Sequence, residues 1–157
     1  MKVLITYYPL GEAPKVADKL AQKFYEKKIS VFKYPIELKK EFSIKEQFKK
    51  EKKLVLKEFP GKEKYDVIII GTPIVSFTAV PAVNSFIRAI PKNEKTKVIL
   101  FATGIGLPGR AIQKMKSLLS MKNMNVTDAQ IFSSIFEFDQ KKLAEVEKFF
   151  DNFYEKL

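Results

Sequence analysis

The sequence contains no cysteine, no histidine and no tryptophan. Without cysteine, the chain has no disulfide, no thiolate nucleophile and no iron–sulfur or cysteine–zinc site. Without histidine, it lacks the commonest transition-metal ligand and the usual general base of a hydrolytic triad. Any chemistry must therefore come from a bound cofactor or from Lys, Tyr, Ser, Asp or Glu side chains.

Long apolar runs are also missing. The apolar start at residues 3–5, behind the single Lys2, is too short for the hydrophobic region of a signal peptide. No run approaches the ~18 apolar residues of a membrane-spanning helix. These features predict a cytoplasmic protein without a membrane partner, and the length of 157 residues predicts a single domain over residues 1–157.

The charge is strongly basic, with 29 Lys+Arg against 18 Asp+Glu and a net charge of +11. Only Arg88 and Arg110 are arginines. Because nucleic-acid grooves favour the arginine fork over the strongly hydrated lysine, this composition argues against a nucleic-acid partner. It indicates instead a lysine-rich solvated surface.

Apolar runs alternate along the chain with amphipathic segments. Runs rich in β-branched residues, which are typical of parallel strands, lie at residues 3–5, 30–34, 67–70, 97–102 and 125–136. Helical spacing of apolar residues follows Pro14, Pro81, Pro108 and Asp139. This alternation predicts an α/β fold in which helices cover both faces of an open parallel sheet.

One segment, residues 37–64, departs from this alternation and holds ten Lys and six Glu. Within it Ser43 and Glu46 have the spacing of a capping box, and Ile44 and Phe48 lie four residues apart. We expect a short helix flanked by a mobile connection, covering the sheet rather than forming a second domain.

Ligands of open α/β sheets bind beyond the carboxyl ends of the strands. Three predicted loops leave such ends, at residues 8–13, 72–80 and 103–109. The third contains Gly104, Gly106 and Gly109 in the order G-x-G-x-x-G, with Asp128 19 residues further on. This pattern is compatible with a nucleotide-binding enzyme. The simpler interpretation is that the glycines permit a tight turn from strand to helix.

The residues around the second and third loops resemble the flavodoxin family. Residues 65–87, with Gly71-Thr72-Pro73 and the later Pro81, look like the family's third strand, isoalloxazine loop and following helix. Residues 101–106 are similar to its fourth strand and second flavin loop, and residues 5–8 to its first strand. The resemblance implies a flavodoxin-like three-layer sandwich with a five-stranded parallel sheet in the order 2-1-3-4-5, binding FMN for electron transfer.

The resemblance also implies which residues contact the cofactor. They are Leu10, Gly11, Glu12, Ala13, Thr72, Pro73, Ile74, Val75, Ser76, Phe77, Thr103, Gly104, Ile105 and Gly106. Apolar side chains of the second and third loops, including Leu107, can line a flat slot for the flavin ring. A flavin carrier needs no acid or base of its own, so no catalytic residue and no metal ligand are assigned.

The sequence departs from the family at the phosphate loop. Residues 9–14 carry no hydroxyl, Pro9 and Pro14 have no N–H group, and Glu12 adds a negative charge. The helix N-terminus, the amides of residues 10, 11 and 13, and Lys15 are expected to compensate for part of this loss. Val75 stands where many relatives place a tryptophan that stacks on the flavin.

Two further functions are open beside the nucleotide-binding enzyme. The first is an FMN-binding electron carrier or FMN-dependent oxidoreductase, which at +11 would attract an acidic redox partner. The second is a cofactor-free binding module of the same fold that docks an acidic partner through its basic surface. A flavin band in the absorption spectrum of the purified protein distinguishes them.

Overall fold

The computed structural model describes residues 1–60, 63–134 and 139–157. The strands are β1 (Val3–Tyr7), β2 (Val31–Pro35), β3 (Val67–Val75), β4 (Thr78–Ala79), β5 (Lys97–Gly104) and β6 (Val126–Ser133). All but β4 are parallel and lie in the order β2-β1-β3-β5-β6. Counted among the five parallel strands alone, this is the order 2-1-3-4-5, so the predicted fold is confirmed. The short antiparallel β4, paired with the end of β3, was not predicted.

Helices cover both faces of the sheet. They are α1 (Ala13–Glu26), α2 (Ile44–Lys49), α3 (Pro81–Ala89), α4 (Ala111–Ser120) and α5 (Gln140–Tyr154), with one 3₁₀ turn at Glu51–Lys53. The apolar faces of α1 and α5 pack on one side of the sheet, and those of α3 and α4 pack on the other. Within the described ranges, no helix has the length and apolar character needed to cross a membrane.

The central strands are buried on both faces, which explains their continuous apolar sequences. All five residues of β1 and the first seven of β3 are buried. Beneath α1 and α5 the core is rich in aromatic rings, and Phe24 meets Phe150 edge to face with ring centroids 4.9 Å apart. Each fully buried large apolar side chain contributes about 1.5–3 kcal/mol, so these faces hold the strands in register.

Two segment boundaries differ from the sequence prediction. The prediction that a helix begins at Pro108 is wrong, because Gly109 adopts a φ of +59° and α4 begins only at Ala111. A residue with left-handed backbone cannot continue into a right-handed helix. Strand β6 ends at Ser133, so Ser134 does not belong to it, contrary to the prediction, and residues 135 and 136 of the predicted strand lie outside the described part of the chain.

The ends of two helices follow the prediction. The Asp139 carboxylate accepts hydrogen bonds from the backbone N–H groups of Lys141 and Lys142, at 3.1 and 3.2 Å. The Ser43 hydroxyl accepts from the Glu46 N–H at 3.2 Å and caps α2. Each such cap contributes about 1 kcal/mol.

The lysine-rich segment covers the sheet, as predicted, and lies on its α3 side. Its apolar Leu38 and Leu56 pack on that core and form an isolated antiparallel bridge. Residues 61 and 62 of the segment lie outside the described ranges, and a mobile connection stays a prediction. The burial pattern of α2 differs from its apolar spacing, since Gln47 is fully buried and Phe48 is 36% exposed. This pattern was not predicted.

Candidate functional site

Three turns lie side by side at the carboxyl edge of the sheet, because β1, β3 and β5 are neighbours in it. Each turn exposes large apolar side chains. Leu10 is 43% exposed, Phe77 65%, Ile105 81% and Leu107 75%, and we call these four the apolar tips. Exposed apolar groups at the ligand-binding edge of an α/β sheet provide the kind of surface that a flat apolar ligand covers.

The turn after β3 is much shorter than the predicted loop over residues 72–80. That prediction is wrong because two ladders extend the strand beyond Gly71. The register sets Pro73 opposite Thr103 on β5, and Ile74 and Val75 opposite Ala79 and Thr78 on β4. Only Ser76 and Phe77 form the turn.

Both turn residues have left-handed backbone, with φ of +50° at Ser76 and +61° at Phe77. Positive φ at both central positions is typical of type I′ hairpin turns, in which Asn-Gly is the usual pair. A left-handed conformation costs roughly 1–2 kcal/mol at a residue other than glycine. The hairpin therefore holds the Phe77 ring in solvent on a strained backbone.

The turn after β5 touches this hairpin at both of its ends. The Arg110 N–H donates to the Phe77 carbonyl at 2.7 Å, and a Cβ on Gly109 would lie only 2.2 Å from that oxygen. At the other end, a Cβ on Gly104 would lie 3.1 Å from the Ile74 side chain. The hairpin turn and the end of the turn after β5 are thus in direct contact.

The middle of the turn after β5 offers hydrogen-bond donors. In the part of the chain that the structure describes, the N–H groups of Ile105, Gly106 and Leu107 donate to no protein acceptor. Gly106 has a φ of +80°, which turns the chain between the two exposed side chains. These donors lie beside apolar side chains, an arrangement that suits the polar edge of a planar ring.

The turn after β1 leads into helix α1. Gly11 has a φ of +61°, and Glu12 occupies the N-cap position of α1 without a side-chain cap bond. The Leu10 N–H donates to the Tyr8 carbonyl at 2.8 Å. The sequence suggested that this N–H would bind a ligand, but the Tyr8 carbonyl already occupies it. The Glu12 carboxylate lies 3.1 Å from the Lys15 ammonium, and its Oε2 atom is buried.

A buried glutamine joins this turn to the lysine-rich segment. The Gln47 Nε2 donates to the Tyr8 hydroxyl at 2.9 Å, and its Oε1 accepts from the Ala82 N–H in the first turn of α3 at 3.2 Å. Helix α2 is therefore fastened directly beside the candidate site. Sequence reasoning missed Gln47, because its partners lie 39 and 35 residues away along the chain.

The fourteen predicted site residues differ in accessibility. Leu10, Gly11, Ser76, Phe77, Ile105 and Gly106 are exposed; Glu12, Ile74, Val75 and Gly104 are partly buried; Ala13, Thr72, Pro73 and Thr103 are buried. The Thr72 hydroxyl accepts from the Val80 N–H at 3.0 Å and donates to the Pro73 carbonyl at 2.8 Å. Its role is to hold the hairpin. Nearby, burial raises the pKa of the Tyr7 phenol above its usual value.

The glycine pattern after β5 does not form a dinucleotide site with Asp128. Asp128 pairs with Ile99, five residues before Gly104 on β5, which places it ~16 Å back along the sheet. Its carboxylate binds the Lys156 ammonium at 2.5 Å. An acidic residue at this depth cannot reach a ribose held at the glycine turn, so the glycines shape a turn.

The two halves of FMN fit these turns unequally. The apolar tips and the donors of residues 105–107 suit the flavin ring. The turn after β1 does not suit the phosphate, because residues 9–14 offer no hydroxyl, two prolines lack N–H groups, and the Glu12 carboxylate lies at the start of α1. The ring half of the cofactor is compatible with these residues, and its phosphate half is not.

Comparisons with known proteins rest on structure alone. A scan against protein-family models finds no match, and a search of curated proteins finds none either. Among solved structures, oxidised flavodoxin 2 from Bacillus cereus superposes with a TM-score of 0.69 at 17% identity over 100% of both chains. A flavoprotein from Lactobacillus acidophilus in complex with FMN gives a TM-score of 0.62 at 19% identity, covering 94% of this chain and 97% of that one.

Larger proteins contain the same architecture. The rubredoxin oxygen:oxidoreductase from Desulfovibrio gigas gives a TM-score of 0.69 at 13% identity, with 99% of this chain covered. The chain spans only 35% of that protein, about a third of its length. Together, the sheet order, the helices on both faces and these superpositions establish that the chain has the flavodoxin-like fold.

Proposed function

We propose that this protein binds a flavin ring at the carboxyl edge of its sheet and transfers electrons through it. The observation that carries the proposal is the set of apolar tips on three adjacent turns, beside the N–H groups of residues 105–107. The shared fold with a flavoprotein that holds FMN supports the choice of ligand. A bound flavin would supply the redox chemistry, while the protein positions and partly desolvates it.

The experiment is a titration of the flavin-free protein with FMN and with riboflavin, followed by flavin fluorescence. Ile105→Asp is expected to weaken binding of either flavin about tenfold or more, because a charge replaces an apolar contact worth at least ~1.4 kcal/mol. Ile105 is 81% exposed, so the substitution leaves the core intact.

The matched control is Met121→Asp. Met121 is 80% exposed and follows the carboxyl end of α4, away from the three turns, so flavin affinity is expected to stay unchanged. Equal effects of the two substitutions would contradict the location of the site. A Kd of about 100 μM corresponds to a binding free energy near −5.5 kcal/mol. If neither flavin binds saturably at about 100 μM, the proposed function itself is contradicted. If neither flavin binds, the cofactor-free binding module is the favoured function, because the Glu12 carboxylate lies where the phosphate of FMN would bind.

We also propose that the partner of this protein is acidic and docks beside the flavin site. Lys45, Lys49, Lys50, Lys52 and Lys53 are exposed on α2 and the 3₁₀ turn, and none belongs to an ion pair within the described residues. We call these five the basic surface. The contact between Gln47 and Tyr8 places it next to the turn after β1. An acidic partner attracted there would dock beside the candidate flavin site.

Charge reversal tests this docking surface, with poly-L-glutamate as the probe. The triple variant Lys49→Glu, Lys52→Glu and Lys53→Glu is expected to lower affinity about tenfold at roughly 0.02 M salt, where screening is weak. The control reverses three exposed lysines elsewhere, Lys116, Lys141 and Lys148, for the same change in net charge. Equal losses in the two variants would mean that net charge alone attracts the polyanion, and no docking surface would be needed.

A further inference from the structure

The end of the candidate site at helix α1 already contains an anion of the protein's own. The Glu12 carboxylate stands at the N-cap position, where the positive end of the helix dipole and the first free N–H groups meet. Its Oε2 atom is buried and lies 3.1 Å from the Lys15 ammonium. Both the helix terminus and the nearest lysine are therefore partly neutralised before any ligand arrives.

Three of the six residues 9–14 offer no backbone N–H group to a ligand. Pro9 and Pro14 have no N–H group, and the Leu10 N–H is used by the Tyr8 carbonyl at 2.8 Å. Residues 9–14 also lack a hydroxyl. Because charge-assisted hydrogen bonds are what hold a phosphate, a turn with this composition stabilises a dianion poorly.

The cleft beside this turn has no excess of positive charge. It has a volume of about 630 Å³, and Tyr8, Pro9 and Leu10 form one of its walls. Two carboxylates, Glu37 and Glu41, and two lysines, Lys39 and Lys57, line it. Glu37 and Lys57 are ion-paired at 3.3 Å. A polar, uncharged chain with hydroxyl groups suits such walls better than a phosphate does.

We propose that the site selects a flavin without a terminal phosphate, so that riboflavin binds at least as tightly as FMN. This inference rests on the proposed flavin function and names its ligand class. The phosphate of FMN carries a charge of about −1.5 to −2 at pH 7 and would lie against the Glu12 carboxylate. The uncharged 5′-hydroxyl of riboflavin meets no such repulsion.

The experiment compares riboflavin and FMN on the wild-type protein and on Glu12→Gln, by flavin fluorescence and by equilibrium dialysis. The wild type is expected to bind riboflavin as tightly as FMN or more tightly. Glu12→Gln keeps the side chain's length and removes its charge, so the affinity for FMN is expected to rise about tenfold relative to riboflavin. Thermal unfolding verifies that the variant is folded.

The matched control is Glu26→Gln, at the other end of the same helix. Glu26 pairs with Lys23 at 2.7 Å, with the same i,i+3 spacing as Glu12 and Lys15. Both substitutions replace one Glu by Gln and therefore change the net charge equally. The ratio of FMN to riboflavin affinity is expected to stay constant in this variant.

Each outcome decides between the two proposals. If the wild type binds FMN more than threefold tighter than riboflavin, or if Glu12→Gln leaves the ratio unchanged, the selection against phosphate is wrong and the flavin site stands. If neither flavin binds saturably to the wild type or to Glu12→Gln, the flavin function itself is wrong. A preference for riboflavin that Glu12→Gln reverses supports both.

Discussion

Gly109→Ala is expected to lower the free energy of unfolding by about 3 kcal/mol. The new Cβ would lie 2.2 Å from the Phe77 carbonyl oxygen and 2.6 Å from its carbon, both backbone atoms that cannot rotate away. The left-handed φ of +59° adds roughly 1–2 kcal/mol for a residue other than glycine. Urea unfolding measures the change.

The same substitution at Gly106 and at Gly11 separates the clash from the backbone strain. Both glycines have a left-handed φ, +80° and +61°, and neither would place a Cβ within 4 Å of another atom. Gly106→Ala and Gly11→Ala are therefore expected to cost only about 1 kcal/mol each. If all three variants unfold at the same urea concentration, the turn after β5 does not rest on the hairpin.

Gly109 also links stability to the candidate site. The Arg110 N–H bond to the Phe77 carbonyl forms only if the chain at residue 109 approaches the hairpin closely. Moving this contact apart would shift Phe77 relative to Ile105 and Leu107, which are the apolar tips on the two sides of the contact. Flavin affinity is expected to fall in Gly109→Ala for this reason, and less in Gly106→Ala.

The sequence was sufficient to predict the parallel sheet, because the central strands carry unusually direct signals, whereas the strand order came from the resemblance to the flavodoxin family. All residues of 67–70 and 98–102 are apolar, a pattern that only burial on both faces explains. Helix α3 begins at Pro81, and α5 is capped by Asp139, as local rules require. These features depend on neighbouring residues and can be found without tertiary structure.

The details of the site depend on contacts between distant residues. Strand β3 runs on to Val75 because β5, some 30 residues later, pairs with it as far as Pro73 and β4 pairs with Ile74 and Val75. The turn residues Ser76-Phe77 lack the Asn-Gly signature of their turn type. Gln47 is buried because Tyr8 and Ala82 satisfy its amide. The sequence located the three turns, whereas only the folded chain shows which of their side chains point into solvent.

Phe77→Gly is expected to stabilise the protein and to remove most of its affinity for flavin. Glycine relieves the roughly 1–2 kcal/mol cost of left-handed backbone at position 77, against about 0.5–1 kcal/mol of added chain entropy. The net gain of about 0.5–1 kcal/mol corresponds to a rise of about 1–4 °C in Tm for a chain of this length. Riboflavin affinity is expected to fall about tenfold or more, because the exposed aromatic ring is lost.

Lys28→Gly provides the control, since Lys28 also has a left-handed φ, +60°, and lies beyond the opposite end of α1. Its substitution is expected to raise Tm similarly and to leave riboflavin binding unchanged. A strained aromatic residue that is exposed and replaceable with a gain in stability is difficult to explain by folding alone. If Phe77→Gly instead lowers Tm and keeps full riboflavin affinity, Phe77 serves the hairpin and not the ligand, and the flavin would have to rest on Ile105 and Leu107 without it.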